Sequence, residues 1–416
     1  MIKAKQHLQF HTQGKIWNLG TFFCLYIAQA IPMSFFSTSL QVLMRQADYS
    51  LSTIALLQAV KIPWILKCLW SPLVDRQCIA VKDYKRCIII SEIVYALMIL
   101  LVGLLSLESD FHLILALIFF SLVASATQDI ATDALAVLSF REHDKSLVNS
   151  MQSMGSFGGT LIGAGLLLLV LQHYGWHIVI PCLCIFVLLA IIPLIFNTKI
   201  KIVPKERAQR ARLTDFVWFF TRRSIWRQIG FLTLYYSSII GILSVLRPYL
   251  VDLGYSMKEI GMMSGIIGTT AAFFTSFIAG FIVRHIGRYK ARITFAVFIL
   301  LTTLYFMGIS WGHPSTLALY IGIVLLWSSY GMATIIVYTT AMDCVRPGRE
   351  GTDFTIQTVL THLSGLLIAL LSGIIADKAG YHGLFLSETV LASISLIYIL
   401  FAFRRSEENK KQIYEL

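Results

Sequence analysis

The sequence predicts an all-α polytopic membrane protein, with twelve transmembrane helices in two six-helix pseudo-repeats. Three observations predict it. Of 416 residues, 57% are hydrophobic and only 13% charged, with mean hydropathy +0.74. A soluble domain carries about a quarter charged residues, so this chain lacks the surface to stay in water. The apolar residues also gather into stretches of about 20, the length needed to cross a bilayer. Finally, the second half of the chain echoes the first.

The polar opening MIKAKQHLQFHTQGKI has no apolar core, so the first span begins at 17 and runs to 44, with Pro32 inside it. The second, 51–71, ends at the SPLVDR turn, and the third, 87–107, starts after the basic KDYKR stretch. Spans at 111–138, 147–171 and 177–197 follow, separated by short polar breaks. The longest break, TKIKIVPKERAQRARLTDFVWFFTRRSI (198–225), reads as a cytoplasmic linker with a surface-lying helix near 213–221. Beyond it lie spans at 226–251, 256–281, 293–311, 314–342, 353–375 and 381–403. The expected domains are therefore 1–197, the linker 198–225, a second half at 226–403 and a tail at 404–416.

Net charge is +12, which could suggest nucleic acid, but its placement says topology. With the N-terminus in the cytoplasm, most of the 34 Lys and Arg fall on that side, while opposite loops such as 108–110 (ESD) and 172–176 (QHYGW) hold none. That asymmetry orients a membrane protein with both termini inside. No signal peptide is recognisable, which fits a bacterial inner-membrane protein. The seven cysteines form no CxxC pair and read as packing residues. No G-x-x-x-x-G-K-[ST] occurs, so an ATP-driven pump is excluded. An intramembrane enzyme built on Asp129 and Asp133 would need a second acidic cluster, which the sequence lacks. The expectation is no enzyme, no cofactor and no metal.

The halves echo each other: Arg141 and Gln152 recur in register as Arg346 and Gln357, and SPLVDR (71–76) as GFIVRH (280–285). Parallel six-helix repeats around a midplane site are a secondary-transporter plan. GFIVRHIGRYKAR (280–292) resembles the loop motif of the major facilitator superfamily, and SPLVDRQCIAVKDYKR (71–86) is a longer copy. Both copies depart from it, with Ser71 in place of the glycine and Arg284 in place of the acid. KIPWILKCLWSPLVDR followed by SATQDIATDA is similar to the muropeptide-permease (AmpG-like) family, and RPGREGTDFTIQ (346–357) resembles the siderophore-permease (RhtX/FptX-like) branch. The resemblance covers the whole chain in span order. It implies loop residues Asp75, Arg76, Arg284 and Arg288 that gate by pinning helix ends together.

Ionisable residues inside spans are costly and point to function. At 1.5 Å per residue, Lys61, Asp129 and His362 each lie about 14–15 Å deep, in one layer near the midplane. Asp129 is expected to partner Lys61 or face a cavity, either as a structural ion pair or as a proton-coupled switch. His362 is the second proton candidate, against a packing role. Asp133, i+4 from Asp129, lies within reach of the Lys67/Arg76 layer; Lys67 and Glu92 share a depth and read as a structural pair; Glu388 has no identifiable partner.

The resemblance implies that spans 1, 4, 7 and 10 line the cavity. There Tyr26, Gln29 and Gln128 are substrate candidates from the first half, and Tyr235, Tyr236, Trp327 and Tyr330 from the second. Polar-tipped aromatics suit a bulky ligand, and ordinary packing is the plainer reading. The expected function is proton-coupled import of an iron–siderophore by alternating access. Muropeptide recycling, or efflux of a small organic solute, is the alternative. Partners are then a small-molecule substrate, protons and the lipid bilayer, with no nucleic acid, and the chain is expected to be a monomer.

Overall fold

The computed structural model describes residues 14–46, 61–106, 109–204 and 211–414. Those residues form helices and no strand. In a bilayer the backbone must satisfy its own hydrogen bonds, which leaves helices or closed barrels as spanning elements. Ten helical stretches among the described residues are long and apolar enough to cross. The last, Glu350–Arg404, is two helices joined at Gly380, whose φ of 68° an L side chain rarely adopts. The stretch expected over 51–71 is the exception. Its residues 51–60 lie outside the described residues, and the remainder is broken into short helices.

The chain forms two compact units, residues 1–219 with 345–359 and residues 220–344 with 360–416. The segment 345–359 thus groups with the first unit rather than with the spans around it in sequence.

In the first unit, α1 (Lys15–Ser34) continues through a wider π turn, Phe35–Ser39, into α2 (Leu40–Gln46). The short α3 (Ile62–Leu66) passes through a tight turn, Lys67–Leu69, into α4 (Ser71–Gln77). Proline in the first turn starts both α3 and α4, where its missing N–H costs nothing. Then come α5 (Val81–Gly103), α6 (Phe111–Ser139), α7 (Lys145–Thr160), α8 (Leu167–Tyr174), α9 (Trp176–Phe196) and the linker helix α10 (Asp215–Phe219). Their core gathers Ile31, Phe35, Tyr95, Ile118, Leu122 and Leu183.

Glycines decide how closely α1 and α7 approach. A Cβ on Gly155 would sit 2.8 Å from Tyr26 Cβ and 2.9 Å from the Ile27 amide nitrogen, and Gly159 is as tight against Ala30. Small residues let backbones touch where the bilayer gives no hydrophobic drive for association. Tyr26 lies directly at this contact.

The second unit contains α11 (Arg223–Asp252), α12 (Met257–Ile260), α13 (Thr269–Ile286), α14 (Arg288–Ile309), α15 (Thr316–Asp343) and most of α16 (Glu350–Tyr414). A π segment, Gly261–Gly268, joins α12 to α13. The core is aromatic, with Phe231, Tyr235, Phe295, Phe306 and Phe385 among its buried members.

Candidate functional site: a buried charge cluster and a helix latch

The apolar α6 carries Gln128, Asp129 and Asp133 through its second half, and all three are buried. Lys67 Nζ lies 2.5 Å from Asp129 Oδ2, with side chains 3% and 4% exposed, and its ammonium sits 4.7 Å from the centre of the Trp64 ring. This corrects the expected pairing. Lys61, one residue ahead of α3, is half-buried, and the ion pair of Asp129 is made by Lys67.

Asp133 lies within range of the Lys67 charge, as expected, but Arg76 does not join it. Its Oδ1 accepts from Tyr26 Oη at 2.8 Å and from Gln152 Nε2 at 3.2 Å, and Arg76 is exposed on α4. One turn away, Gln29 donates to Gln128. Tyr26, Gln29, Gln128, Asp129, Asp133 and Lys67 therefore form one buried polar cluster. Because i and i+4 share a helix face, both acids of α6 belong to it. It is incompletely satisfied: Gln128 Nε2, Thr132 Oγ1 and Asp133 Oδ2 are buried without a partner among the described residues.

Glu92 departs from its expected pairing with Lys67. It is fully buried on α5, and neither carboxylate oxygen has a partner among the described residues. Glu388, by contrast, gains one: Ser372 Oγ donates to its Oε1 at 2.7 Å, and Gly241 of α11 leaves room for the carboxyl.

Asp75 ends α4 as a buried side chain, and its carboxylate caps the start of α16. It accepts from the amides of Gly351 (3.1 Å) and Thr352 (2.6 Å) and from the Thr352 hydroxyl (2.7 Å). The first amides of a helix lack partners and carry partial positive charge, which suits a carboxylate. Arg346 clamps the same end, with Nη2 on Asp353 Oδ1 at 2.6 Å and Nε on Oδ2 at 2.8 Å. Arg346 also donates to the Asp215 carbonyl at 2.9 Å, and Arg349 Nε lies 3.0 Å from Asp215 Oδ1, so the latch includes the linker helix α10. Burial works to lower the pKa of the Arg346 guanidinium, but the hydrogen bonds and charge of Asp353 and the charge of Asp215 outweigh it and hold it above its ordinary value. Sequence reasoning missed Asp215 and Asp353. RPGREGTD holds Arg346 and Asp353 seven residues apart, and no local spacing signals their pairing or that of Arg349 with Asp215.

In the second unit, Arg288 Nε meets Asp343 at 2.9 Å, while Arg284 is half-buried near the end of α13. Tyr236 donates to Thr334 Oγ1 at 2.7 Å and packs edge-on against Tyr330, which packs against Trp327. Tyr235 belongs elsewhere: its hydroxyl donates to the Arg292 carbonyl, and its ring lies on Phe231. His362 is exposed on α16 in this unit.

Buried charges on membrane-spanning helices, two compact helical units and a charged latch on the loop motif define a multi-pass membrane transporter. The family model of the Major Facilitator Superfamily matches residues 20–369, and the chain belongs to that superfamily. It is 23% identical over 410 residues to a Rickettsia conorii protein named as a transporter, AmpG 4, covering 93% of this chain and 97% of that one. It is also 23% identical over 389 residues to the anhydromuropeptide permease of Escherichia coli K12, covering 90% and 78%. Among solved structures, the E. coli fucose:proton symporter matches with TM-score 0.73 at 13% identity, covering 94% of this chain and 99% of that one. A bacterial homologue of the iron transporter ferroportin, in its outward-facing state, matches at 0.70 and 14%, covering 93% and 99%. At that identity the likeness is one of fold. Membership of a transporter superfamily points to transport rather than catalysis. These relatives lend no support to the siderophore branch suggested by RPGREGTDFTIQ.

Proposed function

We propose that the protein is a proton-driven importer of muropeptides, amino sugars bearing a short peptide, across the bacterial inner membrane, with both termini cytoplasmic. What carries the reading is similarity along nearly the whole chain to a relative named anhydromuropeptide permease. The halves 1–197 and 226–403 act as the two rocking repeats, with 198–225 as their tether.

In this mechanism Asp129 is the leading proton carrier, with His362 second and Lys61 as a half-buried cation near the same helix. An ionised Asp129 holds Lys67. Protonating Asp129 dissolves the ion pair and frees the Lys67 ammonium for a carboxylate on the substrate peptide. A ligand that binds one state better shifts the equilibrium between states by that difference in affinity. Tyr26, Gln29 and Gln128 supply hydrogen-bonding groups in the first unit, and Tyr236, Tyr330 and Trp327 an aromatic face in the second. Asp75 with Thr352, and Arg288 with Asp343, are the contacts that make and break as gates.

The test is uptake of radiolabelled anhydromuropeptide into membrane vesicles with an imposed pH gradient, with and without uncoupler, beside a ferric siderophore. The expected result is muropeptide accumulation that the uncoupler abolishes. Accumulation of the siderophore and not the muropeptide overturns the substrate; accumulation indifferent to the uncoupler overturns the coupling.

A further inference from the structure

A groove of about 490 Å³ opens where the start of α1 meets the end of α9. Trp17 on one side and Ile192, Pro193 and Phe196 on the other form its apolar walls, and Lys199 stands at its edge. Trp17 is 68% exposed and Phe196 77%, so these rings face outward at the end of two membrane-spanning helices. Aromatic side chains at that level sit among lipid headgroups.

Lys199 is placed there by the fold. Its amide donates to Asn197 Oδ1 at 2.9 Å, and the buried Asn197 side chain is tied to Asn18 at 3.0 Å and Thr21 at 2.8 Å on α1. Its aliphatic stem lies over Gly14, where a Cβ would come within 2.6 Å of Lys199 Cβ. The neighbouring lysines are engaged, Lys15 with Asp144 and Lys85 with the Asn197 carbonyl, whereas Lys199 makes no ion pair among the described residues. An apolar slot level with the bilayer edge, with a fixed cation at its mouth, has the chemistry of an amphiphile with an anionic head.

We propose that this groove seats one phospholipid with an anionic headgroup, its acyl chain along Trp17, Ile192 and Phe196 and its phosphate at Lys199. The site is separate from the polar cluster on α6 and does not depend on which solute is carried.

Brominated lipids quench tryptophan only on contact, so Trp17 reports occupancy. The full chain is reconstituted into vesicles of brominated phosphatidylglycerol or brominated phosphatidylcholine, and the Trp17 signal is taken as the difference between wild type and Trp17→Phe. The expected result is an anionic preference of about fivefold at Trp17, the effect of one lysine near a membrane surface, falling to none in Lys199→Gln. Because Lys199 is exposed, that variant leaves the core intact. Equal quenching by both lipids in the wild type means ordinary boundary lipid and overturns the proposal, as does a preference that survives in Lys199→Gln. Quenching that appears only after residues 2–13 are removed assigns the groove to the chain's own N-terminal segment instead.

Discussion

Removing one charge from the Lys67–Asp129 pair should destabilise the protein far more than removing both. The pair is 2.5 Å apart and almost wholly withdrawn from solvent. Stripping one partner from a buried ion pair leaves an uncompensated charge and costs about 3–5 kcal/mol. At about 2–4 °C per kcal/mol for a domain of this size, Asp129→Asn and Lys67→Met should each lower the melting temperature in detergent by about 6–20 °C. Lys67→Met should be the worse of the two, because it leaves Asp129 beside Asp133 with no cation, whereas Asp129→Asn keeps an oxygen that accepts from the lysine. The double variant leaves neither an unmatched ammonium at 67 nor an unmatched carboxylate at 129. It loses only a hydrogen bond and the cation's contact with Trp64, so the coupling energy should be about 3 kcal/mol or more. Lys61→Met is the control. It is half-buried and outside the pair, so its effect should add to that of Asp129→Asn. The assay is a melting curve on purified protein followed by intrinsic fluorescence, for the four members of each cycle. Additivity to within about 0.5 kcal/mol for Lys67 and Asp129 would refute the pairing, and strong coupling of Lys61 to Asp129 would restore the depth-based reading.

Asp75→Asn keeps one acceptor oxygen but loses the charge at the α16 terminus, so amide exchange over 346–353 should quicken by about tenfold, as expected for the loss of about 1–2 kcal/mol; unchanged exchange would remove Asp75 from the latch. Asp215→Asn should loosen Arg349 from the linker helix, while Arg346 keeps its bond to the residue-215 carbonyl, and raise exchange over 211–219 while leaving the melting temperature within a few degrees because Arg349 is partly solvated. Gly155→Leu should cut folded yield sharply, since the new side chain meets the α1 backbone. Gly165→Leu, with open space around its Cα, should fold normally, and equal yields of the two would mean that α1 and α7 do not touch.

The fold was readable because the bilayer enforces it: a spanning stretch must be about 20 apolar residues long, and such stretches stand out at this composition. The echo between Arg141…Gln152 and Arg346…Gln357 suggested two halves, whereas 345–359 packs into the first unit, which no repeat in the sequence announces. The loop motif marked Asp75 as a gate residue, but its partners lie on Gly351 and Thr352, and nothing local to SPLVDR encodes a contact across so much chain.

The charge register failed for a physical reason. Counting depth at 1.5 Å per residue assumes one straight helix perpendicular to the membrane. Between Lys61 and Lys67 the chain starts a fresh helix at Ile62, tightens at Lys67–Leu69 and restarts at Ser71, so each step resets both rise and direction. Depth also says nothing about azimuth. Lys67 and Glu92 share a depth by count, yet Lys67 turns to α6 and Glu92 is buried without it. Asp129 and Asp133 could be placed together because i,i+4 spacing fixes azimuth within one helix. Close approach at Gly155 brings Tyr26 alongside α7, and its hydroxyl reaches Asp133 while Lys67 reaches Asp129. The two acids of α6 thus differ in their hydrogen-bond donors, an ammonium for Asp129 and a hydroxyl and an amide for Asp133. That difference leaves Asp129 with the ion pair, and Asp133 with one carboxylate oxygen that has no hydrogen-bond partner among the described residues.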